Sequence, residues 1–261
     1  MPFPETERVV FKKNPLEQVI CELRYNPILR IDTDVPVDFQ DEVRSDFPGY
    51  EENIELQVNP SQIGQPIQPP EFLNQLIHPN QQKIHKFTSS DGYWVAGLTH
   101  SSISLSTNKY QNWQDFKKRL TIPFKALIKH YTPNDFTRIG LRYIDVIKRS
   151  ELKLDNVDWA ELIEPHILGI TGAPKITDSL LKSENRHEIL LKDKISVVRL
   201  ITKLVTKPDR LETCFLMDSD FFCFEINIDE ALGKLDYFNK RAHNLMQWCF
   251  SDHLKKALEP I

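Results

Sequence analysis

Val19-Ile20-Cys21-Glu22-Leu23-Arg24-Tyr25 reads as a half-buried β-strand. With a period of two, Val19, Cys21, Leu23 and Tyr25 share one face, and Ile20, Glu22 and Arg24 share the other. Asn26-Pro27 ends the strand, because proline cannot donate to a ladder. Arg138-Ile139-Gly140-Leu141-Arg142-Tyr143-Ile144 repeats the Leu-Arg-Tyr core in the second half of the chain. Each copy precedes a polar break, a short amphipathic helix, a run of strands and a long helix.

Outward from the first copy, residues 1–16 form an arm that ends at Asn14-Pro15. Phe39, Val43 and Phe47 fall at i, i+4 and i+8 and predict a short helix stopped by Pro48-Gly49. Asn53 to Val58 is an expected strand. Residues 59–81 carry Pro60, Pro66, Pro69, Pro70 and Pro79, an insertion without regular structure. Lys83–Ser89 and Tyr93–Thr99 flank the turn Ser90-Asp91-Gly92, a hairpin. Ser102 to Thr107 follows as a strand. Trp113, Phe116, Leu120, Phe124 and Leu127 then mark a helix over 112–130, with a kink expected at Pro123.

The second half repeats the order. Phe136 to Ile147 is a strand and Asp158 to Ile163 a short helix. Gly169 to Lys175 reads as a loop. Asp178–Ser183, His187–Leu191, Ile195–Val205 and Thr213–Phe224 read as four strands, with a turn at Lys207-Pro208-Asp209. Asp229 and Glu230 suit the positive start of a last helix. Its stripe is Leu232, Leu235, Phe238, Ala242, Leu245 and Cys249. The expected fold class is α+β. Two tandem β-α-β4-α units, 1–131 and 132–261, would build one extended antiparallel sheet with helices on one face. The element order resembles that of TATA-box-binding protein, a likeness of fold and not of function. Two separate domains meeting near Tyr131-Thr132-Pro133-Asn134 are the alternative.

Three ordered blocks carry a further likeness. They are Lys13-Asn14-Pro15-Leu16 with Cys21-Glu22-Leu23-Arg24-Tyr25, then Ile139-Gly140-Leu141-Arg142-Tyr143-Ile144-Asp145, then Leu216-Met217-Asp218-Ser219-Asp220. Together they resemble a sporadically distributed bacterial family of unknown function, about as long as this chain. Asp145 and Ser219 depart from that family's pattern. The patchy distribution implies mobile genes, such as those of phage defence or toxin–antitoxin loci.

The chain has 261 residues, 40% hydrophobic and 27% charged, with a net charge of −4. No global basic field draws it to nucleic acid or an anionic membrane. The N-terminus lacks an apolar core like that of a signal peptide, and no apolar run is long enough to span a bilayer. A cytoplasmic protein is expected. Cys21, Cys214, Cys223 and Cys249 lie in apolar patterns and read as buried thiols.

Catalytic signatures are missing. The sequence contains no GxGxxG, no P-loop, no HExxH and no GxSxG. His243 and His253, near the last helix, read as solvent-facing or capping. Asp218 and Asp220 would share a strand face and could hold a divalent cation, unless Asp-Ser-Asp is a hairpin tip. No other cofactor is implied. Arg24 and Arg142 occupy matching positions and point away from the core face. With Glu22 and Asp145 beside them they are the expected partner or anion contacts, unless those local acids only neutralise them. Lys117, Lys118, Lys125, Lys129, Lys234, Lys240 and Arg241 lie on polar helix faces, the ordinary place for solvated charge. A non-enzymatic binding or adaptor protein with a protein partner is therefore expected. A metal-dependent enzyme or nucleotide binder and a nucleic-acid-binding protein are the alternatives.

Overall fold

The computed structural model describes residues 2–56, 81–173, 179–207 and 212–261. In chain order the first half contains β1 (Leu16–Arg24), α1 (Arg30–Thr33), α2 (Val37–Val43), β2 (Gly49–Leu56), β3 (Gln81–Thr88), β4 (Trp94–Thr99), β5 (Ser102–Thr107) and α3 (Trp113–Tyr131). The second half contains β6 (Asp135–Ile147), α4 (Arg149–Leu152), α5 (Trp159–Leu162), α6 (Pro165–Leu168) and a 3-10 turn at Gly169–Gly172. It continues with β7 (Glu184–Leu190), β8 (Val197–Lys207), β9 (Glu212–Asn227), α7 (Ile228–Cys249) and α8 (Asp252–Ala257).

Among the described residues the strands form one antiparallel sheet in the order β2-β3-β4-β5-β1-β6-β9-β8-β7. The two Leu-Arg-Tyr strands lie side by side at its middle. Their register pairs Ile20 with Arg142, Glu22 with Gly140 and Arg24 with Arg138. This ladder joins the two halves in one sheet. The alternation read from the sequence decides which side is core: Val19, Cys21, Leu23, Ile139 and Leu141 are fully buried.

The long helices cover that side. α3 starts at Asn112, whose side chain accepts a hydrogen bond from the Asp115 amide at 2.9 Å, satisfying one otherwise orphaned donor. It buries Trp113, Phe116, Leu120, Phe124 and Leu127, and it runs through the buried Pro123. α7 buries Leu235, Phe238, Leu245 and Cys249 against the second half of the sheet. The arm lies along α7. Phe3 is buried beside Trp248, and Arg241 reaches Glu5. The arm also runs beside the chain end: the Lys12 and Lys13 amides donate to the Glu259 and Leu258 carbonyls, and Ile261 donates to Val10. The four cysteines are buried and free.

Several expectations shift. β2 starts at Gly49, because Gly49 pairs directly with Thr88. A Cβ there would come within 3.2 Å of the Thr88 carbonyl oxygen, so the glycine that marks the helix stop also opens the strand. The strand expected at Asp178–Ser183 is absent over the described residues 179–183, where Leu181 is fully exposed and pairs with no strand. Gly169–Gly172 forms a 3-10 turn in place of an open loop. α1, α4 and α8 were not legible from periodicity, being only four to six residues long. Most of the proline-rich insertion and of the turn at 207–209 lies outside the described residues.

Candidate functional site

The helix-free side of the sheet carries the even-numbered residues of β1, β6 and β9. Arg24, Arg138 and Arg142 lie there with Glu22, Asp218 and Asp220, and Arg199 of β8 joins them. Arg24 bonds Glu22 at 2.8 and 3.3 Å. Arg142 grips Asp218 with two bonds of 2.7 and 2.5 Å. Arg138 bridges Glu22 at 3.2 Å and Asp220 at 2.8 Å. Arg199 holds Glu188 of β7 at 2.8 Å. The result is a ladder of ion pairs across adjacent strands.

Gly140 makes the ladder possible. A Cβ at this position would stand 2.5 Å from the Arg138 guanidinium, which therefore lies over bare backbone. The same guanidinium stacks over Phe222 at 4.9 Å, with Arg199 at 5.4 Å from that ring. Phe222 is thereby buried on an otherwise open face, while neighbouring Phe224 is 59% exposed. Leu190, at the same end of the face, is also exposed.

Glu22 neutralises Arg24, whereas the acid that meets Arg142 is Asp218 and not Asp145. Odd-numbered Asp145 points to the opposite side of the sheet. Asp218 and Asp220 do share one continuous strand and one face, so Asp-Ser-Asp is no hairpin tip. Both oxygens of Asp218 accept from Arg142, however, and Asp220 accepts from Arg138. Burial raises the Asp220 carboxyl above its ordinary range, although Arg138, Arg142 and Arg199 pull it down. A divalent cation would have to displace guanidiniums from both carboxylates and sit in their positive field. Among the described residues no three His, Cys, Asp or Glu side chains converge as a metal site.

These pairs differ in strength by exposure. Arg24→Ala is expected to cost less than about 1 kcal/mol, as for an exposed pair. Arg142→Ala strands the Asp218 carboxylate, whose side chain is only 11% exposed, and is expected to cost roughly 2–3 kcal/mol. Urea denaturation of the two variants at neutral pH checks the order; equal losses would contradict it.

On the helix side, Asp145 lines a cavity of about 340 Å³. Its floor is the middle of the sheet, with Tyr143, Asp145, Met217 and Ser219. Ala242, His243 and Met246 of α7 and Tyr110, just before α3, form walls. The arm supplies the roof. Arg8 donates to Asn239 at 2.8 Å, and His243 Nε2 donates to the Glu7 carbonyl at 2.8 Å. Asn239 in turn donates to the Tyr143 hydroxyl at 2.8 Å. His243 is thus a strut of the arm, not a solvent-facing residue. The cavity was not legible in the sequence, because its walls come from segments more than 200 residues apart.

Asp145 is 5% exposed and accepts no hydrogen bond among the described residues. Burial, reinforced by the Asp218 charge across the sheet, pushes its carboxyl up to about 7. Burial also keeps Tyr143 neutral, with its pKa well above the ordinary phenol value.

No protein-family model matches the chain, and no curated protein matches it.

Proposed function

We propose that the chain is a non-enzymatic binding protein that holds a protein partner on the helix-free face of its sheet. One observation carries this reading: helices pack on one side only, and the other side presents an ordered cross-strand array of charge with an exposed aromatic beside it. A face whose arginines already meet acids is a poor trap for a free anion. It suits a polypeptide that can exchange the Arg24–Glu22 pair for one of its own, since an exposed pair is worth little to the fold. Phe224 and Leu190 supply the apolar anchor such interfaces need. The balanced charges of the ladder give nucleic acid no advantage.

The tandem duplication with a TATA-box-binding-protein-like order belongs to the same proposal. Strand order supports it: moving outward from the central β1–β6 pair, β5, β4 and β3 match β9, β8 and β7. The register supports it too, since Glu22 and Gly140, equivalent in the two Leu-Arg-Tyr stretches, face one another. The second half has no described counterpart of β2. The resemblance to a sporadic bacterial family makes a phage-defence or toxin–antitoxin locus the natural setting, and the product of a neighbouring gene the natural partner.

The test is affinity capture of co-expressed neighbouring gene products by the wild-type chain and by the double variant Arg24→Glu, Phe224→Ser. Wild type is expected to retain a stoichiometric partner, with chemical cross-links at Lys86 and Lys203 on the same face; the variant is expected to lose it. Full retention by a folded double variant would falsify the assignment of this face.

A further inference from the structure

We propose that the cavity beneath the arm is a binding site for a small organic amine, with its ammonium on Asp145 and its apolar body against tyrosine and methionine walls. This site lies on the opposite side of the sheet from the partner face and does not depend on it.

Asp145 is more than nine-tenths buried, faces the cavity and has no hydrogen-bond donor among the described residues. The carboxylates on the other face of the same strands are matched: Asp218 takes two bonds from Arg142 and Asp220 one from Arg138. A lone buried carboxylate is costly to a fold. Its position at a cavity wall identifies what would repay it, a donor that enters from outside. An ammonium provides both the opposite charge and the N–H donors.

The rest of the lining suits the same ligand. The rings of Tyr110 and Tyr143 meet edge to face with centroids 6.1 Å apart, so their orientations are fixed. Aromatic faces attract organic cations. Met217 and Met246 add polarizable, adaptable surface. A mostly apolar chamber with a few convergent polar groups is the usual form of a small-molecule site, and 340 Å³ lies near the lower end of the usual range. Arg8, the cation at the roof, is exposed and engaged with Asn239, so it does not neutralise Asp145. A metal ion is a poorer occupant, because Asp145 is the single carboxylate of the lining.

Isothermal titration calorimetry of the full chain at about pH 8, where Asp145 is ionised and alkylamines stay protonated, tests the site. The probes are hexylamine and 2-phenylethylamine, each set against the alcohol of the same skeleton. At least one amine is expected to bind at a single site about tenfold or more tighter than its alcohol. Asp145→Asn is expected to erase that preference. Ala242→Phe, which fills the chamber from α7 and leaves Asp145 in place, is expected to abolish binding while circular dichroism reports a folded chain. The proposal is overturned if alcohol and amine bind equally. Unchanged amine affinity in Asp145→Asn also sinks it, as does the failure of both amines to saturate the folded wild type at about 10 mM.

Discussion

Asp145→Asn is expected to leave stability unchanged near about pH 4 and to raise it by on the order of 4 kcal/mol at about pH 8. In the unfolded chain this carboxyl ionises at the ordinary aspartate value. In the folded protein burial holds the proton until about pH 7. Between those two values the native state binds more protons than the unfolded state, so stability falls as pH rises. The loss is complete above the folded value. Asparagine cannot ionise and removes this slope. Urea denaturation of both proteins across that pH window gives the difference directly. Parallel curves would mean that Asp145 is solvated or paired in solution. Carboxyls whose titration is strongly perturbed by burial cluster at functional sites.

The second large effect is expected at Phe221→Ala, with a loss of about 3–5 kcal/mol. Phe221 is fully buried on β9, between Leu141 of β6 and Val198 of β8 in the register. Its ring meets Phe238 of α7 at 6.4 Å. Truncation therefore opens a cavity where the last long helix docks on the sheet. For a chain of this size the midpoint should drop by roughly 10 °C. Calorimetry is the check, and a loss under about 1 kcal/mol would show that α7 is held by other contacts. Phe224→Ala, three residues along the same strand and so on the exposed face, is the control. It is expected to change stability by less than about 0.5 kcal/mol.

The candidate residues show where sequence reading stops. The side of the sheet that Arg24 and Arg142 take was legible because strand alternation is local: the neighbours of an arginine between Leu and Tyr fix it. Glu22 was legible as the partner of Arg24 because both lie on one strand, two residues apart. The partner of Arg142 was not, since Asp218 lies 76 positions away. That pairing depends on a register set only when β6 and β9 meet. The role of Arg138 depends on the same register, with the bare Gly140 beside it. Asp145 looked like a neighbour of Arg142 in sequence, but a separation of three along a strand puts it on the opposite face.

By itself, then, the sequence determined the class of the fold, the main strands and long helices, and which face of β1 and β6 is core. Those follow from periodicities of two and 3.6, which operate over a few residues. The tertiary structure decided the strand order, the ion-pair partners and the cavity. Each of these requires segments far apart in the chain to meet: Glu22 with Gly140, Arg142 with Asp218, and the arm with His243 over Asp145. No local pattern encodes such meetings. They are fixed only when the apolar faces of strands and helices pack together, and the two Leu-Arg-Tyr strands lie at the centre of that sheet.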